Sequence, residues 1–320
     1  MKLSAKLQWL IVALLFLVVA SVHAAPPQAV TECETFITEP GKYRLANDLV
    51  DCEEIGVIIL ASDVTLDLKK HTISCADNGM RSGGVIVGLL APVSNVKITN
   101  GAVTGCADGI LLAEAEDSKV TKVTAYENRF WDGEGSGTGI TVWLSHNNVV
   151  KHNHVYGNAS HGIGSYDSSG NLFKHNTAVD NGEGVTGSGI DLVGEKSSRL
   201  LCNRVHGNVD GIVLYPSMTT ETSSNGNLLR GNLVTGNVFS GIGMMGFAWD
   251  GFYWLDIPGA NTVKSNIVEA NGWYNLYEIY YDMFLGDILP HPEGTCMNDW
   301  VKNQFGPMVF GPDGCFGDSV

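Results

Sequence analysis

Residues 161–181 read H-G-I-G-S-Y-D-S-S-G-N-L-F-K-H-N-T-A-V-D-N. Gly162 opens a short stretch, Gly162-Ile163-Gly164-Ser165-Tyr166, with the alternation of a strand. Nine residues after Gly162, Asn171 starts an eleven-residue frame, N-φ-φ-K-x-N-x-φ-x-x-N, where φ is apolar. The frame recurs as N-V-V-K-H-N-H-V-Y-G-N from Asn148 and S-R-L-L-C-N-R-V-H-G-N from Ser198. It recurs again as N-L-L-R-G-N-L-V-T-G-N from Asn227 and N-T-V-K-S-N-I-V-E-A-N from Asn261, with weaker copies from Ser118, Asn95 and Asp63. The Gly-Ile opener recurs at Gly109, Gly139, Gly162, Gly189, Gly211 and Gly241, at intervals of 30, 23, 27, 22 and 30 residues. Opener and frame stay nine residues apart through Gly189, then 16 at Gly211 and 20 at Gly241.

A period of this size means a stacked array. The strand signals are short, with no helical spacing inside the unit. One such coil cannot bury its own apolar face, so neighbours must stack. Three short strands per turn with Asn at the bends predict an all-β fold, a right-handed parallel β-helix of nine or ten coils in a single solenoid. Asn tolerates left-handed backbone and can bond the main chain; stacked coils also set Asn above Asn. Phe173, Leu200 and Leu229 are expected to form one inward stack.

The expected organisation is a leader over residues 1–24, an N-terminal cap over 25–56, coils over 57–290 and a C-terminal coil and cap over 291–320. Lys2 and Lys6 precede an apolar run of twelve residues, 9–20, and Val22-His23-Ala24 offers a small-residue cleavage site. The run is short for a bilayer span, which predicts export to the periplasm or the medium. Seven cysteines in an exported chain favour disulfides with one thiol left over. Cys33 and Cys52 flank the first cap, Cys296 and Cys315 the last, and Cys75 and Cys106 lie about one coil apart, so disulfide-tied caps are expected with Cys202 as a buried free thiol. A net charge of −15 argues against nucleic acid as a partner. A monomer acting on a polysaccharide, with no membrane contact after leader removal, is the expected state.

The phrases I-T-E-P-G-K-Y-R-L-A-N-D-L (37–49), V-I-I-L-A-S-D-V-T-L-D-L-K-K-H-T-I (57–73) and N-D-W-V-K-N-Q-F-G (298–306) resemble the entry and terminal coils of NosD-like parallel β-helix repeat proteins, within the pectin-lyase-like superfamily. The resemblance covers nearly the whole mature chain. It implies the fold, on a scaffold that carries lyases, hydrolases, epimerases and non-enzymes alike. S-H-G-I-G-S around His161 is similar to part of the G-H-G-I-S-I-G-S motif of polygalacturonases, without the N-T-D, adjacent Asp-Asp or R-I-K elements. The D-P-H-D string of alginate epimerases and the clustered Asp pattern of calcium pectate lyases are absent too.

Insertions at residues 129–138 and 182–188 precede the Gly-Ile strand, and those at 216–226 and 246–260 follow it. Insertions at shared corners lie on one side of a solenoid, so these predict a groove over the Gly-Ile strands between the coils opened by Gly139 and Gly211. With Ile inward, the residues two and four after the opener point outward. Trp143, Tyr166 and Tyr215 are then ring platforms for sugars, and Asp191 is the single acid in those two columns, expected to be solvated. His161 and Asp210 stand at the strand entrance, His146 and Asp167 at its exit. Candidate catalytic groups are Asp191, His161, Tyr166 and Asp210. Candidate substrate-binding groups are Trp143, Tyr166, Tyr215, His146, Asp167 and Arg199. Uronate chemistry needs a base and a neutraliser of the carboxylate; the base candidates are His161, Tyr166, Lys196 and Arg199, with Arg199 or a Ca²⁺ ion at Asp191 as neutraliser. No dedicated metal site is assigned; His152, His175 and Cys202 form a column with soft-ligand chemistry, to which the resemblance attaches copper-site maturation. The expected function is the binding or processing of an extended, uronate-containing polysaccharide, and the alternative is a non-catalytic scaffold, adhesive or NosD-like.

Overall fold

The computed structural model describes residues 26–77, 82–130, 136–183, 186–249, 252–255, 257–283, 287–289, 296–306, 309–311 and 315–316. The expected leader lies outside them. Among the described residues the strands stack in parallel, apart from two local hairpins, Ser240–Trp249 with Phe252–Leu255 and Tyr274–Asp282 with Asp287–Leu289. Ten successive strands, from Thr35–Ile37 to Tyr274–Asp282, form one face of the solenoid, the opener sheet. Each frame supplies two further strands per coil. Leu172–Lys174 pairs with Arg199–Leu201, and Thr177–Val179 pairs with Arg204–His206, building the other two faces. Ten strands on one face agree with the nine or ten coils that the repeats predict.

The inside register is as expected. Phe173, Leu200 and Leu229 are directly paired across coils and fully buried. Ile163, Ile190 and Ile212 stack the same way from the opener sheet. Disulfides join Cys33 to Cys52, Cys75 to Cys106 and Cys296 to Cys315. Two expectations at the corners are corrected. Left-handed backbone falls on the residue before the ladder Asn rather than on the Asn itself, as at His152 (φ 56°), His175 (φ 54°) and Cys202 (φ 55°) before Asn153, Asn176 and Asn203. The side chain at that position leaves the coil, so Cys202 is exposed rather than buried. The Asn itself is retained for its amide.

Each ladder amide is fully used. The Asn203 side chain accepts from the Asn176 backbone N–H at 3.0 Å and from the Asn176 amide at 3.1 Å. It donates to the Phe173 carbonyl at 3.0 Å and to Asn232 Oδ1 at 3.0 Å. Ladders of this kind run through all three corners, and their asparagines are at most 6% exposed. A buried amide needs every one of these partners.

One coil breaks the pattern and repairs itself. The ladder position filled by Asn148, Asn171 and Asn227 is Ser198 in the intervening coil, and the position three before it, otherwise Ser145, Ser168 and Ser224, is Glu195. A serine cannot reach the Asn171 amide, and Glu195 Oε1 accepts from that amide at 3.0 Å instead. Glu195 also accepts from Ser165 Oγ at 2.6 Å and from Ser198 Oγ. Burial pushes the Glu195 carboxyl up, against these three hydrogen bonds, which pull it down.

Two stability outcomes follow from this packing. Leu200→Ala should cost about 2–5 kcal/mol through lost burial and a cavity, read by urea unfolding; a parental midpoint would mean that Leu200 does not face inward. Glu195→Ser should cost about 1–3 kcal/mol for each hydrogen-bonding group it orphans. Adding Ser198→Asn restores the pattern of the neighbouring coils and should recover part of that loss. A double variant no more stable than the single one would refute the exchange.

Candidate functional site

The site begins with the opener glycines. A Cβ on Gly162 would stand 2.6 Å from the Gly189 carbonyl and 2.9 Å from the Asn181 amide, so only glycine fits there. The residue just before each glycine forms a column along the entrance edge of the opener sheet: Asp108, Thr138, His161, Ser188, Asp210 and Ser240. The residue two after each glycine forms a second column, Leu111, Thr141, Gly164, Asp191, Val213 and Gly243, which the next coil continues with Tyr277. Leu111, Val213 and Tyr277 pack in small clusters separate from the main core, which places this column on the outer face.

That outer column is not open to solvent, contrary to the expectation for Asp191. A Cβ on Gly164 would lie 2.6 Å from the Tyr166 hydroxyl, and one on Gly243 would lie 1.9 Å from the Tyr277 ring. Both rings lie across the glycines and cover the sheet. Asp191 is therefore only 3% exposed. Its Oδ1 has no hydrogen-bond partner, and its Oδ2 is 3.7 Å from His161 Nε2. His161 Nδ1 accepts the Ser188 backbone N–H at 3.1 Å, so in the neutral ring the proton sits on Nε2, towards Asp191.

Desolvation sets the charge state. Burial pushes Asp191 up to about 7. It pushes His161 down to about 4, the smaller pull of Asp210 acting the other way. Asp210, which accepts from Ser240 Oγ, is pushed up to about 6 by burial. Between about pH 4 and 7 the Asp191–His161 contact thus joins a carboxylic acid to a neutral imidazole and is not an ion pair. The Tyr166 hydroxyl meets Thr138 and faces Asp191 and Asp108; burial first, then those acids, hold it well above the ordinary tyrosine value. Tyr215 and Tyr277 are hydrogen-bonded to each other and Tyr277 to Ser240, both raised chiefly by burial. The result is a row of polar groups from Asp108 to Tyr277 along the outer face.

Open space lies beside this row. A cleft of about 470 Å³ is lined by Trp143, Tyr166, Thr141, Asp108, Ser160 and Leu89, among others. It stands over the coils opened by Gly109 to Gly162, toward the N-terminal end of the expected groove. Trp143 is 39% exposed there and pairs in register with Tyr166, whose ring is the wall shared with buried Asp191. Asp108 accepts the Thr141 hydroxyl at 2.7 Å.

The remaining candidates are placed elsewhere. Tyr215 stacks on Phe247 with ring centroids 6.0 Å apart, two coils beyond Tyr166. Asp167 fastens the 216–226 insertion, accepting from Ser217 at 3.1 Å and Thr220 at 2.5 Å. His146 is exposed at the exit corner, 2.9 Å from Ser169 Oγ, on a different pocket. Arg199 lies on a frame strand, on another face of the solenoid from Asp191, and Lys196 is exposed beyond the strand Ser188–Val193. His152 and His175 stack with centroids 5.2 Å apart; among the described residues no three His, Cys, Asp or Glu side chains are gathered as for a metal ion. Within the 246–260 insertion, the side chains of Trp249, Phe252, Tyr253 and Trp254 lie outside the described residues. Sequence reading missed Asp108, Thr138, Ser240 and Tyr277; the first three could have been found by extending the entrance column along every opener.

The buried acid makes a stability prediction that reverses the solvated reading. Asp191 binds a proton in the folded state between its ordinary value of 3.8 and about 7, where the unfolded chain does not. Its contribution to stability is therefore fully present below that ordinary value and is lost as pH rises through the folded one. Asp191→Asn removes the penalty: it should stabilise the protein by roughly 4 kcal/mol above neutrality, from three units at about 1.4 kcal/mol each, and by little near pH 4. Denaturant midpoints of parent and variant across that range test this; equal midpoints at alkaline pH would return Asp191 to solvent.

The model of the right handed beta helix region matches residues 46–225. No curated protein matches the chain. Among solved structures, the protein is similar to a point mutant of the periplasmic alginate epimerase AlgG, with 17% identity and a TM-score of 0.57 over 87% of this chain and 69% of that one. It is also similar to the A-module of the Azotobacter vinelandii mannuronan C-5 epimerase AlgE6, with 14% identity and a TM-score of 0.51 over 92% of this chain and 91% of that one. At such identities the likeness is one of fold. The family match covers more than half of the chain and coincides with its stacked parallel coils: the protein belongs to the right-handed β-helix family.

Proposed function

We propose that the protein is an exported, carbohydrate-active β-helix that holds a saccharide in the Trp143–Tyr166 cleft and moves a proton there. The observation that carries this reading is the adjacency of an aromatic-walled cleft to a desolvated acid, Asp191, whose Oδ1 is unpartnered and whose Oδ2 is 3.7 Å from His161. Trp143 supplies an exposed ring face for the apolar side of a sugar. Tyr166 supplies a second wall, and its hydroxyl is the group that faces both the cleft acid Asp108 and the buried acid Asp191. A carboxyl pushed up to about 7 holds a transferable proton, the acid that acid–base chemistry on sugars uses, and the imidazole beside it, pushed down to about 4 and with Nδ1 taken by the Ser188 N–H, is a neutral hydrogen-bond donor that orients it. Three disulfides suit an oxidising compartment, in line with export. Alginate epimerases share the scaffold, which supports the polysaccharide class without naming the sugar.

The test is a screen of polysaccharides for new reducing ends, for unsaturated products by ultraviolet absorbance and for epimerised residues by NMR. Turnover should rise as pH climbs through about 4, where His161 loses its proton, and fall as it climbs through about 7, where Asp191 loses its own. Asp191→Asn should lower turnover by roughly 10²-fold or more. Tyr166→Phe keeps the wall and removes the hydroxyl, so it should lower turnover while leaving binding near parental. Trp143→Ala should weaken binding by about 1–3 kcal/mol. Binding without turnover on every polysaccharide would retire the catalytic half of the proposal and leave a carbohydrate-binding scaffold.

A further inference from the structure

A second cleft, of about 760 Å³, lies on the frame side of the solenoid, at the corner between the two frame faces. Its lining includes Lys69, Lys70 and Lys122. A backbone device puts the first two lysines there. Between the paired residues Asp67–Thr99 and Thr72–Ala102, one coil has four residues, 68–71, where the next has two, 100 and 101. The extra length is a turn closed by the His71 backbone N–H, which donates to the Leu68 carbonyl at 2.8 Å. Both central residues are left-handed, Lys69 at φ 53° and Lys70 at φ 67°. This is a type I′ turn, whose central pair is ordinarily Asn-Gly because both positions need positive φ. Two lysines are a poor choice for the turn itself, and backbone strain of this kind concentrates at sites of function. Lys122, also left-handed at φ 57°, projects from the same corner two coils on. Gly101, where a Cβ would stand 2.3 Å from Leu68 Cβ, and Ala102 lie in the coil between and keep the cleft open.

The cations continue along the solenoid. Thr121 pairs in register with Lys151, and Lys151 with Lys174, so the next two coils each add a lysine beside the Lys122 corner. His152, at that corner, is held below its ordinary value first by desolvation and then by His175, Lys151, Lys122 and Lys174, which places these groups in one electrostatic neighbourhood. The acid of the cleft, Asp67, is already engaged. It accepts the Lys69 backbone N–H at 2.9 Å and the Asn100 amide at 3.3 Å, and stands 3.8 Å from Lys69 Nζ. Three ammonium groups against that carboxylate leave the lining positive, on a chain of net charge −15.

We propose that this corner binds an extended acidic polysaccharide with one charged group per sugar, as an anchoring site separate from the Trp143–Tyr166 cleft. The cations from Lys69 to Lys174 span five coils, about 19 Å at the spacing of paired strands, which is long for a single small anion. A pyranose ring is about as long as a coil is high, so a chain laid along the solenoid axis advances by one charge per coil. The charges of a single nucleic-acid strand are closer together, ~3.4 Å apart. Acidic side chains on one face of an extended peptide are farther apart, ~6.6 Å. The lysine ammonium groups suit carboxylates or sulfates, and Asn100 and Thr124 in the same lining suit sugar hydroxyls.

The experiment is calorimetric binding of galacturonate and alginate oligomers to the full chain at low and high salt, with oligomers of about six sugars matched to the five-coil span. The decisive variant is Lys69→Asn with Lys70→Gly, which gives the turn its preferred pair while removing two charges. It should melt no lower than the parent and bind the long oligomer about tenfold or more weakly. Lys122→Gln should weaken binding likewise, and Lys122→Arg should retain it. Binding should fall with salt and be unchanged in Trp143→Ala, which separates this corner from the cleft on the opener sheet. Binding that survives every lysine change, or that Trp143→Ala abolishes, overturns the inference, as does no binding of either oligomer at low salt. Dimers that bind as tightly as the long oligomers would reduce the corner to a single-anion pocket and overturn the extended chain. Single-stranded DNA of equal charge that binds more tightly through the same lysines would overturn the polysaccharide class.

Discussion

Everything in this molecule depends on one constraint, the satisfaction of buried amides between stacked coils. A short-stranded coil turns three times per circuit, and each turn buries backbone groups that the strand ladders do not reach. The asparagine ladders meet that demand by linking each corner to the coils above and below. The coil height is thereby common to all three faces. A residue substituted in one ladder must be compensated by a neighbour, as Glu195 does for Ser198. The price is conformational strain at the preceding residue, held left-handed at His152, His175 and Cys202.

The candidate site is a consequence of the same stacking. Opener glycines bring adjacent coils close enough to align the preceding residues in a column, so His161, Asp210 and Asp108 share an edge although they are far apart in sequence. Two further glycines, Gly164 and Gly243, remove side chains where tyrosine rings lie flat. Those rings exclude water from Asp191, and the exclusion rather than any ion partner lifts its carboxyl toward neutrality. Glycine placement, ring position and acid strength are one chain of cause.

The solenoid also separates its charges. Successive faces are built from different segments of the repeat, so the basic fourth position of the frame projects on one face and the opener strands on another. A chain of strongly negative net charge can in this way keep a lysine-bearing sheet, which blunts pairing with other chains, on a different face from its opener strands, which among the described residues carry no lysine or arginine.

Sequence alone determined the fold, the inward register and the composition of each column, because a fixed spacing of Asn, Gly and apolar residues admits one way of stacking. Phe173, Leu200 and Leu229 were legible as a buried file, and Trp143 beside Tyr166 as neighbours on the outer face. Only the tertiary structure decided what covers that face. Alternation says that Asp191 points away from the core, but not that Tyr166 folds back over Gly164 to cover it. Spacing within a coil likewise cannot say that Arg199 lies on a different face from Asp191, that Asp167 is occupied in fastening an insertion, or that Cys202 leaves a corner for solvent. Column membership is a property of the repeat and is written in the chain; solvent access and charge state depend on side chains meeting across coils, and those meetings exist only in three dimensions.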